Sequence, residues 1–75
     1  MNPGRNLSHL GNGQEASILS IGGHTDISSR LQELGFTPGA MVRLVAKAAF
    51  GGAMAFQVRG STIALRRADA ACVEI

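Results

Sequence analysis

The chain has 75 residues, 45% hydrophobic and 16% charged, with a formal net charge of +2. One domain of this length hides only roughly 60% of its unfolded surface, so the core must be small and locally well specified. The composition excludes a disordered tail. Val45 to Phe56, the longest nearly apolar stretch, holds Lys47 and two glycines and is too short to span a bilayer, which takes about 20 apolar residues.

Met1 to Gly13 carries one arginine and no apolar run of secretory type, and Cys72 is the single cysteine. Neither points to export or to an oxidising compartment, so a cytoplasmic location is expected. The seven basic residues are scattered, and only Arg66 and Arg67 are adjacent. The high pI is therefore a small imbalance in a small protein, not a nucleic-acid footprint.

In chain order, residues 1–6 are expected to be flexible and 7–75 to form one domain. Leu7 and Leu10, three apart, predict an apolar turn tucked against that domain. Glu15 to Ile21 reads as one strand, with Ala16 and Ile18 inward and a bulge near Ser20, because Ile21 falls out of phase. A helix follows between His24 and Gly39. Thr25 or Asp26 is its expected cap, and Ile27, Leu31 and Leu34 lie on one face. Gly35 stands where a left-handed stop is needed, with Phe36 as its hydrophobic partner, and Thr37-Pro38-Gly39-Ala40 has the residues of a type II turn.

Met41 to Ala46 predicts a second strand, with Val42 and Leu44 on one face and Met41, Arg43 and Val45 on the other. Ala53 to Val58 is a third, with Met54, Phe56 and Val58 in phase. Arg59-Gly60-Ser61 makes a tight connection to Thr62–Arg66, where Ile63 and Leu65 point inward. Ala68 to Ala71 is a helical turn, and Val73 and Ile75 close the chain as a strand. The prediction is mainly β: a small five-stranded SH3-like barrel, with one short helix after the first strand and a helical turn before the last. So many short strands leave exposed edges unless the sheet curls and closes.

Arg30-Leu31-Gln32-Glu33-Leu34-Gly35-Phe36 followed by Pro38-Gly39 resembles the core motif of the FeoA proteins. Val58 to Arg67, with Ala70, resembles their second motif, and Val73-Glu74-Ile75 their terminal strand. The resemblance spans about residues 7 to 75 in the right order. It implies an SH3-like barrel in the cytoplasm that modulates FeoB, the membrane ferrous iron transporter with a GTP-binding domain. A similar barrel forms the C-terminal domain of iron-dependent repressors. One departure is Lys47 to Ala53, which lacks the proline common in that loop of the family.

No nucleophile–base pair is visible, and Gly11-Asn12-Gly13 lacks the context of a phosphate loop, so no enzyme is expected. His24, Asp26 and Glu33 share no spacing that pairs ligands on a helix face. No cofactor is expected and a bound divalent metal would be adventitious, while metal binding at His9, His24 or Cys72 is left open by the residues. Cys72 reads as a small packing residue. With no Trp or Tyr and three Phe, neither proline-motif grooves nor stacking platforms for nucleic acid are expected.

A protein–protein surface remains. Met41, Arg43, Lys47, Phe50, Gly51 and Gly52 are the candidate partner-binding residues, with Met41, Val45 and Phe50 as an apolar patch and Arg43 and Lys47 at its rim. The opposing reading folds Phe50 over the barrel mouth and Met41 under the N-terminal turn. Leu31, Leu34, Gly35, Pro38, Gly39, Gly60 and Leu65 are the expected structural determinants. The expected partner is the cytoplasmic side of a FeoB-type transporter, with the membrane met only through it. A homodimer would use the patch or an unpaired barrel edge. The alternatives are a nucleic-acid-binding barrel contacting phosphates through Arg59, Arg66 and Arg67, or a metal-sensing regulatory domain.

Overall fold

A computed structural model describes residues 5–48 and 52–75. A 3-10 turn at Leu7–His9 precedes β1 (Glu15–Ser17), β2 (Ser20–Ile21), α1 (Thr25–Glu33), β3 (Met41–Lys47), β4 (Met54–Val58), β5 (Ser61–Leu65), α2 (Arg67–Ala70) and β6 (Val73–Glu74). The strands form an antiparallel sheet in the order β1-β3-β4-β5 and a two-stranded sheet of β2 with β6. No helix of the described residues is long and apolar enough to cross a membrane.

The inner faces follow the period of two read from the sequence. Val42, Leu44, Met54, Phe56, Val58 and Leu65 are buried. Phe36 meets Phe56 edge to face, with centroids 6.3 Å apart and planes at 88°, the arrangement that ring quadrupoles favour. Leu7 and Leu10 are fully buried, as their spacing predicts. Asn6 caps their turn, accepting from the Ser8 amide at 2.9 Å, while His9 Nδ1 accepts from the Asn6 amide at 3.2 Å. Next to it, Asn6 bridges to Glu74, and the Ile75 amide donates to the Arg5 carbonyl at 2.9 Å.

The single strand expected over Glu15–Ile21 is two strands on different partners. β1 lies along β3, the Ile18 amide still donates to Ala40, and then the Leu19 amide turns to Glu74 at 2.7 Å. This change of sheet, and not a bulge near Ser20, puts Ile21 out of phase. The bulge of this fold lies in β3, where Val45 is the extra residue between Leu44 and Ala46.

The helix stop is built as predicted. Gly35 has φ +109°, its amide donates to Gln32, and the Phe36 amide donates to Leu31, each at 3.0 Å, which is the paired bonding of a Schellman cap. Gly39 has φ +88°, and the Ala40 amide donates to Thr37 at 2.9 Å, closing the type II turn. Two details differ from expectation. α1 starts at Thr25 with His24 at the cap position and no side-chain cap bond. Leu31 is buried, but Leu34 is 40% exposed, because the fold-back at Gly35 sends Phe36 into the core.

Candidate partner-binding surface

The outward face of the four-stranded sheet carries Met41 and Arg43, because β3 alternates around buried Val42 and Leu44; beyond the bulge, Lys47 is paired with buried Met54 and leaves that face. Glu15, Arg43, Gln57 and Thr62 pair in one row across all four strands. Arg43 Nη2 lies 3.7 Å from Glu15 Oε2, with both side chains half exposed. Arg43 therefore stands not at the rim of one patch but between two.

On one side of this row is Met41, 56% exposed, paired with Ser17. It does not pack under the N-terminal turn. Leu19 leaves β1 two residues beyond Ser17 and is 67% exposed. It lies beside the Pro38–Gly39 turn, since the Gly39 amide donates to Ile18 at 2.8 Å and Pro38 is itself exposed. On the other side, Ala46, Ala55 and Ala64 pair in a row across β3, β4 and β5, next to Val45, which is 43% exposed. Met41 and Val45 are about 13 Å apart along the strand at roughly 3.3 Å per residue. Lys47 and Gly52 are exposed near the β3–β4 loop, whose base is closed by the Ala48 amide donating to Ala53 at 2.9 Å. Phe50 and Gly51 lie outside the described residues.

Arg59 takes a role that the sequence reading missed. It and Gly60 form the two-residue turn between β4 and β5, with φ +50° and +81°. Its side chain crosses to the helix stop, where Nη2 donates to Thr37 Oγ1 at 2.8 Å and Nε approaches the Gly35 carbonyl at 3.4 Å. A cation at the carbonyl end of a helix is favourable, and here it also ties that end to the turn beneath Met41. The positive φ of Arg59 belongs to its two-residue hairpin turn, so nothing local signals the crossing of its side chain. Leu19 had a hint, in the phase break at Ile21.

The other candidate ligands are not brought together. No group of three His, Cys, Asp or Glu side chains suited to a metal occurs among the described residues. Half-buried Cys72 packs on Gly23, where an added Cβ would sit 3.0 Å from its Sγ. Leu31 and Leu65 are core residues, and Gly35, Gly39 and Gly60 all have positive φ.

A search among curated proteins finds no match. Among solved structures, FeoA of Stenotrophomonas maltophilia complexed with zinc is 37% identical, with 92% of this chain and 86% of that one covered and a TM-score of 0.82. That protein is described as a procaryotic SH3 domain protein proposed to act as a ferrous iron transport activating factor. FeoA from Chlorobium tepidum is 26% identical over 92% of this chain and 66% of its own, with a TM-score of 0.85. A manganese-dependent transcriptional repressor is similar in fold alone, at 17% identity over all of this chain and 42% of the repressor, with a TM-score of 0.87. The architecture is thus SH3-like, although its first strand is divided. With the FeoA domain model matching residues 5–75, the chain belongs to the FeoA family.

Proposed function

We propose that this protein is a non-enzymatic cytoplasmic accessory of ferrous iron uptake that binds the cytoplasmic side of a FeoB-type transporter, at or near its GTP-binding region. The observation that carries the reading is the apolar surface on β3 and its neighbours. Large exposed side chains, Leu19 and Met41, stand beside a doubly fixed turn, with the basic Arg43 and Lys47 along the same strand. Anchors of this kind, flanked by charge, are what a protein partner buries. The activating role proposed for the Stenotrophomonas protein supports the same direction. The protein works without a resident cofactor, and a bound divalent metal is adventitious.

A nucleic-acid role is less well supported, because the Arg59 guanidinium is already engaged by Gly35 and Thr37, which leaves Arg66 and Arg67 as the one adjacent pair for phosphates. The test is an NMR titration of the labelled chain with the GTP-binding domain of FeoB from the same organism. Shifts gathered on Leu19, Pro38 and residues 41–52 are expected. A saturated titration without them would overturn the surface, and steeply salt-dependent shifts with short RNA at Arg59, Arg66 and Arg67 would favour the phosphate reading. Sedimentation of the chain alone shows whether a second copy occupies the patch first.

A further inference from the structure

β5 ends the four-stranded sheet, and among the described residues no strand pairs with its outer edge. The Arg59–Gly60 turn makes Val58 and Ser61 a hydrogen-bonded pair, so Ser61, Ile63 and Leu65 aim their backbone groups at β4. Those of Thr62 and Ala64 therefore point away from the sheet. Edges are usually blunted by lysine, proline or a bulge, and Ser61–Leu65 has none of these. Thr62 and Ala64 are exposed, and Ile63 is only half buried although it faces the core.

Charge at this edge has one sign. No acidic residue occurs from Arg59 to Ala68, while Arg66 and Arg67 stand exposed at the C-terminal end of the strand. The Arg66 side chain is 84% exposed and meets Asp69 only at 4.0 Å.

We propose that the β5 edge takes an extended segment of another protein, added antiparallel, with an acidic residue at its N-terminal end. That end lies beside Arg66 and Arg67, and the bonds go to Thr62 and Ala64. A small apolar side chain then covers the open flank of Ile63. Strand addition supplies affinity through backbone bonds and selects partners through alternate side chains. A second copy fits worse, because the stretch from Arg59 to Ala68 holds no acidic residue that could meet Arg66 and Arg67. β4 separates β5 from β3, so this edge is independent of the Met41 surface.

The test uses the full chain with a disulfide-closed hairpin peptide whose free strand reads Glu-Val-Thr-Val, and a second that begins with Lys. Amide exchange should slow at Thr62 and Ala64 and stay unchanged at Ser61, Ile63 and Leu65, which are already bonded. The Glu peptide should bind about threefold tighter than the Lys peptide at low salt. Arg66→Glu should reverse that order. Thr62→Pro, which spares the β4 ladder, should weaken binding about fivefold. Absence of protection at millimolar peptide, or equal binding of the two peptides, overturns the proposal. So does protection of Thr62 and Ala64 that rises with the concentration of the protein alone, since that assigns the edge to a second copy.

Discussion

The two ends of β3 face outward in the same way yet are held very differently. At the Met41 end the backbone is fixed by the Schellman bonds of Gly35 and Phe36, by the Thr37–Ala40 turn and by the Arg59 side chain across both. At the Lys47 end the strand bulges at Val45, and the described loop base has the Ala48–Ala53 bond. The side chains differ in step: Leu19 and Met41 project from the fixed end, while Ala46, Ala55 and Ala64 floor the other. Large anchors on a backbone that need not be ordered lose little on binding, whereas small side chains offer little to bury. A partner's energy should therefore concentrate at the Met41 end.

The strongest way to break this contrast is to remove its foundation. Phe36→Ala, which empties the site against Phe56, should cost about 3–5 kcal/mol by chemical denaturation. Gly35→Val comes next, at roughly 2–3 kcal/mol. It forces a β-branched residue to φ +109° and puts Cβ 3.3 Å from Arg59 Cδ. Gly39→Ala, with positive φ but nothing within 4 Å of its added Cβ, should cost only about 1 kcal/mol. Melting temperatures should separate these variants, at roughly 4–8 °C per kcal/mol for a domain of this size.

Met41→Glu sharpens the contrast in function. It should abolish the shifts produced by the GTP-binding domain while leaving the melt within about 0.5 kcal/mol, as for surface changes generally. Val45→Glu should weaken binding much less; equal losses would return the two patches to one surface. The smallest effect belongs to the row between them. Glu15→Gln should change stability by no more than about 0.5 kcal/mol, since its pair with Arg43 is half exposed.

How far each region could be read from sequence follows from how local its physics is. Leu31 to Ala40 was legible almost bond for bond, because a glycine stop and a Pro-Gly turn are decided by neighbours in sequence. The strand phases of β4, β5 and of β3 up to Leu44 were legible for the same reason, while the bulge at Val45 was not. The division of Glu15–Ile21 was not, since it depends on Leu19 and Ser20 finding Glu74 at the far end of the chain. The exposure of Leu34 and the crossing of Arg59 to Thr37 likewise need the folded arrangement. Of the candidate surface, Met41 was rightly placed outward, but its neighbour Leu19 was not foreseen and Arg43 proved to be a divider.

The bond from the Ile75 amide to the Arg5 carbonyl places the two ends of the described chain side by side, next to the Asn6–Glu74 bridge. Topologically the domain is close to a ring with one cut, and its exposed turns are the other places where such a cut is tolerated. A host protein can therefore carry this unit between two of its own segments, entering and leaving at one point on the surface. Moving the cut to the Arg59–Gly60 turn and sealing the old ends with a short glycine linker should preserve the core while releasing Arg59 from its backbone constraint.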